Sequence, residues 1–193
     1  MCGRIAVFIF FACCLLVVTK AESVSFEAKD FDAIATEADL IFIGTGTGTS
    51  PRRTGSREIV TDYRFGDLEI VKGTASAGAL TVTMLGGRIG AESLTVAGAP
   101  TFNQGVRYLV FVNGNGSVMF PLVGGDQGIF QIRKDAVSGV TLVHDYAGRA
   151  LTRLPGRAST NSLDRLQMRA GETVSQAAFV AAIRAKVGDR LVR

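Results

Sequence analysis

The alternation of apolar and polar positions is densest between Arg57 and Val112. In the first run Ile59, Thr61, Tyr63 and Phe65 share one parity, with Glu58, Asp62 and Arg64 opposite. That is the period of a strand with one buried face. Gly66-Asp67 interrupts the run, which resumes on the even parity at Leu68 and Ile70. A parity switch at a glycine predicts a β-bulge, because one extra residue carries the following side chains across the sheet. Leu80, Val82 and Met84 alternate with threonines in a second strand that stops at Gly86-Gly87. In the third, Val106, Tyr108, Val110 and Val112 make one face and Leu109 and Phe111 the other. Apolar character on both sides predicts a central strand. It ends in Asn113-Gly114-Asn115-Gly116, a strong hairpin signal.

The flanks carry weaker patterns. Phe26 to Ala38 has a mild helical period, with Asp30 placed to cap a short helix that turns Phe31, Ile34 and Ala35 inward. Leu40 to Ile43 reads as a buried strand that the following Gly-Thr alternation can continue, and Pro51 to Ser56 as a polar, basic loop. Ser93 to Ala97 is a short strand, Gly98-Ala99-Pro100 a turn, and Phe102 a plug for one end of the core. Ser117 to Val123 is expected to return from the hairpin, with Pro121 marking an edge or bulge because it cannot donate to a ladder. Gly128–Arg133 and Val140–Asp145 form a second expected hairpin. Residues 153–172 turn polar and read as a flexible linker. Thr173 with Gln176 makes a capping box for a last helix that ends at Gly188. Its stripe of Val174, Ala178, Phe179, Ala182, Ile183 and Val187 is expected to pack on the protein's own core.

The amino terminus changes the picture. Arg4 supplies charge, Ile5 to Val18 is an unbroken apolar run, and Thr19-Lys20-Ala21 puts small residues at −3 and −1 of a cleavage site. Residues 1–21 therefore read as a secretory signal peptide, with a mature terminus at Glu22 and a secreted or periplasmic destination. An apolar core of this length is short for a membrane span, so no stable membrane insertion is expected after cleavage. A retained anchor is the rival reading. All three cysteines (Cys2, Cys13, Cys14) fall in the removed part, so the mature chain is expected to form no disulfide and no thiolate metal site. Cleavage would leave 172 of the 193 residues, enough for a core that buries roughly 70% of the unfolded surface. Two of the 21 basic and none of the 17 acidic residues leave with the signal, so the mature net charge is +2. Nothing in that balance calls for nucleic acid.

Candidate chemistry is sparse. Gly44-x-Gly46-x-Gly48 lacks the third glycine of a dinucleotide fingerprint and the lysine of a phosphate loop, and the residues after it cannot open the helix both need. Small residues where another backbone passes close explain it better. His144 is the single histidine, and its neighbour Asp145 points to the other face of a strand. A zinc centre built from three protein ligands is therefore not expected, nor any cofactor. Asp67 and Glu69 share parity and could form an acid pair, but a solvated sheet face explains them as well. No Gly-x-Ser-x-Gly elbow is present. Arg52, Arg53, Arg57 and Arg64 cluster in sequence and are the candidate partner-binding residues, suited to an anionic surface or an acidic partner.

Seven or eight short strands, glycine turns, a bulged second strand and a terminal helix predict a mainly β chain built as a small barrel. The order of signals resembles the OB-like barrel of netrin-like modules, the fold shared with tissue inhibitors of metalloproteinases, and in particular a group of exported bacterial domains of that type. The stretches that carry it are ADLIFIGTGT (38–47), EIVKG (69–73), AGAPTFNQGVRYLVFV (97–112) and DQGIFQI (126–132). The resemblance implies residues 22–152 as an OB-like barrel domain, followed by the linker and a helix over 173–188. Inhibition of metalloproteinases is not implied, because that family uses an amino-terminal cysteine and Glu22 stands here. The expectation is a non-catalytic binding or protein-interaction module whose partner is an unknown protein or envelope component. An oligosaccharide-binding barrel and a hydrolase with an unrecognised site are the alternatives. With no Trp and three Tyr, the sugar reading lacks stacking surfaces.

Overall fold

The computed structural model describes residues 28–55, 58–76, 78–152 and 173–188. The expected signal peptide, the mature terminus at Glu22, Arg57 and the 153–172 linker lie outside them. The described chain is mainly β with a C-terminal helix. The elements are α1 (Phe31–Glu37), β1 (Leu40–Thr54), β2 (Glu58–Lys72), β3 (Leu80–Leu85), β4 (Gly87–Ile89), β5 (Glu92–Leu94), β6 (Arg107–Val112), β7 (Ile129–Lys134), β8 (Thr141–His144) and α2 (Gln176–Gly188). Six strands form one antiparallel sheet in the order β3-β2-β1-β6-β7-β8, and β4 and β5 pair as a separate ribbon.

The sheet is apolar on both faces where β1 and β6 run through its middle. On one face Ile41, Ile43, Leu109, Phe111, Phe130 and Ile132 meet the two helices. On the other, Phe42, Tyr63, Phe65, Val82, Met84 and Tyr108 form a second core. The alternation expected for β6 is met, with Tyr108, Val110 and Val112 on this second side and Leu109 and Phe111 on the helix side. Asp30 caps α1 as expected, its Oδ1 accepting from the Ala33 amide at 2.7 Å, and Phe31, Ile34 and Ala35 are buried. Lys72 closes the other end of α1 by donating to the Ala35 and Thr36 carbonyls.

The bulge sits where the parity switch places it. Ile43 faces Glu69 and Thr45 faces Gly66, so β2 spends three residues against two of β1. Asp67 takes the extra position at φ 49°, in the left-handed region that aspartate tolerates. Leu68 and Ile70 thereby join the same core as Tyr63 and Phe65. A second irregularity, an extra residue on β1 between Gly46 and Gly48, reverses the parity of the outer half of that strand.

Four expectations are corrected. Pro51 to Arg53 are not loop: β1 runs to Thr54 and pairs with β2 to its end. The Asn113–Gly116 turn does not return as a paired strand. Ser117 to Val123 makes one bridge, Val112 to Leu122, because Asn115 and Met119 are spent on the edge of β3 and Pro121 has no amide to give; β6 pairs instead with β7. Ser175, not Thr173, caps α2, its Oγ accepting from the Ala178 amide at 3.2 Å, while Val174 pairs with Leu151 and Val143 beside β8. The sheet is not closed into a barrel, and each end is capped by a short segment instead. At β3, Leu85 donates to the Met119 carbonyl, and the Asn115 amide bonds Thr83 N–H and Thr81 C=O. At β8, Val143 donates to Val174 and accepts from Leu151. With its edge groups satisfied in this way, neither end strand needs the other.

Candidate functional site

The four arginines do not form one patch. Adjacent residues of a strand point to opposite faces, so Arg52 and Arg53 part. Arg52 lies with Asp62 and Thr83 on the outward face: its Nε donates to Asp62 Oδ2 at 2.7 Å, its Nη2 to Oδ1 at 3.2 Å, and the Thr83 hydroxyl donates to Oδ1 at 2.7 Å. The Arg52 guanidinium, and beyond it Thr83 and Arg64, hold the Asp62 carboxyl below the usual carboxylate range despite partial burial. Arg53 pairs with Glu92 on β5. Arg64, exposed over Gly48, has no carboxylate partner among the described residues. Arg57 is outside them.

The acids and the histidine are likewise dispersed. Glu69 faces α2, with Gln176 at 3.4 Å and Arg184 at 3.6 Å, while Asp67 sits in the bulge with its carbonyl accepting from Arg107. Asp145 pairs with Arg149 at 2.7 Å. His144, half-buried on β8, lies beside Gln131 of β7, and its Nδ1 is enclosed without a hydrogen-bond partner. Among the described residues no three His, Cys, Asp or Glu side chains converge as a metal site would require.

Several open spaces adjoin the sheet. A groove of about 820 Å³ follows the first turns of α2, where Glu69, Gln176 and Arg184 already engage one another. The second, about 440 Å³, lies beneath the β4–β5 ribbon. Its floor is apolar: Met84, Leu94, Val96 and Pro100, with the ring of Tyr63. Its rim is polar and exposed: Arg88, Ser93, Thr95 and Thr101. Gly86 and Gly87 form the wall between sheet and ribbon at φ 107° and 137°. A Cβ on Gly87 would come within 2.4 Å of the Thr61 hydroxyl oxygen, so only glycine lets the chain turn off β3 there. The opposite wall is pinned by Tyr146, whose hydroxyl accepts from the Thr101 amide at 2.9 Å and donates to its carbonyl at 3.3 Å.

Tyr63 joins floor to core. Its ring packs edge-on to Phe102, which also meets Phe65 and Tyr108. Burial, with a smaller effect from Tyr146, pushes its phenol above the usual tyrosine range, so it stays a protonated donor. Among the described residues, the cavity lining holds no carboxylate, histidine or cysteine. Sequence reading placed Tyr63, Met84 and Phe102 in the core and missed the rim, because Arg88, Ser93, Thr95 and Thr101 are ordinary exposed residues until the ribbon folds over. The double glycine after β3 was the one available signal. No known family, curated protein or solved structure matches the chain.

Proposed function

We propose that the chain is an exported, non-catalytic binding module of the OB-like, netrin-like type, acting in the envelope or outside the cell. The supporting observation is that, among the described residues, the cavity under β4–β5 combines an apolar floor with hydroxyls and one arginine and is lined by none of the acids, imidazoles or thiols that general acid–base or nucleophilic chemistry uses. The acids nearby are held in ion pairs with Arg52, Arg53 and Arg149. The open sheet departs from a closed OB-like barrel, and on this reading loop segments stand where the closing strand pair would be. Of the arginines expected to meet a partner, Arg64 keeps its charge unneutralised among the described residues and is the one offered to an acidic protein. The sugar-binding alternative lacks support, since the large hydrophobic side chains exposed among the described residues are Val118, Met119, Val137 and Val140, none of them aromatic.

Two measurements test this. Mass spectrometry of the periplasmic or secreted protein should find a terminus at or near Glu22; recovery only as a full-length membrane-bound form would refute export. Purified protein should turn over no chromogenic ester, phosphate, glycoside or peptide substrate. Turnover that disappears in Tyr63→Phe or His144→Ala would establish an enzyme instead.

A further inference from the structure

We propose that the cavity beneath the β4–β5 ribbon binds a small carboxylate with an apolar body, the body lying over Met84, Leu94 and Tyr63 and the carboxylate meeting Arg88 at the mouth. The inference rests on reading the chain as a binding module and names the ligand class for it. At about 440 Å³ the space falls within the range of small-molecule sites. The distribution of polarity selects the ligand. An apolar floor of Met84, Leu94, Val96 and Pro100 gains nothing from a wholly polar guest. At the rim, Arg88 donates from Nε to the Gly90 carbonyl at 3.1 Å, which orients the guanidinium, and its terminal nitrogens have no partner among the described residues. Those two nitrogens match the two oxygens of a carboxylate. The ribbon's own acid, Glu92, is held by Arg53 and does not line the cavity, so among the described residues nothing on the wall competes for Arg88 or repels an anion. Ser93, paired across the ribbon from Arg88, adds a hydroxyl on the same side. The Tyr63 hydroxyl, which has no hydrogen-bond partner among the described residues, is a further donor at the floor. A cationic ligand would meet Arg88, and a neutral one would leave it unused.

Octanoate, 1-octanol and octylammonium, matched in chain and different in head group, are the probes, each titrated calorimetrically into the intact mature protein. Octanoate is expected to bind saturably at one site, at least about fivefold more tightly than octanol, the worth of one exposed charge-assisted contact. Octylammonium is expected to bind more weakly than either. Arg88→Gln, a change at an exposed rim residue, should weaken octanoate by at least about fivefold and leave octanol unchanged. Ala99, which also lines the cavity, is the position to fill: Ala99→Phe should weaken both, with an unchanged melting temperature showing that it still folds. Absence of saturable octanoate binding, or an Arg88→Gln protein that binds it as tightly as the parent, overturns the pocket whatever becomes of Ala99→Phe. Those failures leave the binding-module reading standing; hydrolysis of octanoyl esters would overturn that reading and leave the pocket in place.

Discussion

The two faces of the sheet are covered in different ways. On one, helices do the covering. Phe179 of α2 sits 5.3 Å from Phe31 of α1 and 4.9 Å from Phe130 of β7, centroid to centroid, and Phe130 reaches Phe111. On the other, an irregular segment from Ala97 to Val106 lays Phe102 across Tyr63, Phe65 and Tyr108, and the β4–β5 ribbon folds over what remains. A helix delivers several side chains at fixed spacing and fills the interface it covers. An extended segment delivers one plug, needs partners for its own backbone (Tyr108 Oη for Asn103 N–H at 3.0 Å, Tyr146 Oη for Thr101) and leaves space beside it. The cavity beneath the ribbon and the hydroxyls that pin the covering segment belong to the second face for that reason, whereas the groove on the helix side runs along the first turns of α2.

The sharpest way to break the comparison is to remove each face's central ring. Phe179→Ala should cost about 3–5 kcal/mol, the range for a buried phenylalanine whose neighbours cannot collapse. Phe179 is fully buried between two helices and a strand. Phe102→Ala should fall at the low end, about 3 kcal/mol, because the adjoining cavity lets the gap fill with water or with the neighbouring segment. Chemical denaturation of both variants decides it; a greater loss for Phe102 would mean that the plug and not the helix holds the fold.

The same contrast explains what could be read beforehand. Strand faces follow a period of two and helix stripes a period near 3.6, so β6, the β2 bulge, the Asp30 cap and most of α2 were legible from residue type alone. The segments that cap the sheet ends carry no period. Asn115, read as a hairpin residue, uses its side chain on β3. Val174, read as the start of a helix stripe, pairs with Leu151. Both turn on contacts between residues tens of positions apart, which local pattern does not encode. The rim of the cavity was hidden for the same reason, and the pairing of Arg52 with Asp62 became visible only once β1 was known to run past Pro51.

Gly46 is the next test, since the covering segment touches the sheet there. Its amide donates to the Val106 carbonyl at 2.9 Å and its carbonyl accepts from Gly105 at 2.8 Å. A Cβ at this position would lie 2.5 Å from the Asn103 carbonyl oxygen, which is backbone and cannot swing aside. Gly46→Ala should therefore cost about 1–3 kcal/mol, as overpacking does. It should also move the Ala97–Val106 segment, so amide shifts in an NMR spectrum are expected around Asn103 and Thr101 and not in α2. Shifts confined to α2 would mean that the two faces are coupled through the sheet.

The smallest effect lies on the outer half of the β1–β2 hairpin, beyond both cores. Asp62→Asn keeps the side chain's shape and removes the charge that Arg52 grips with two nitrogens. Such a pair near the surface contributes about 0.2–1 kcal/mol, less at high salt. The pH dependence tells charge from shape. The folded Asp62 carboxyl titrates below its unfolded value because of Arg52 and Thr83. Its contribution is therefore fully present above the unfolded aspartate value, about 3.9, and is lost as pH falls through the lower folded value. The stability gap between parent and Asp62→Asn should be constant from neutral pH to about 5 and close in acid below that. A gap that persists undiminished in acid would show that the Asp62 charge is not its source, because the Thr83 hydroxyl can donate to a carbonyl oxygen of the acid or of the amide alike, and would leave the Arg52 guanidinium free to serve a partner instead of the hairpin.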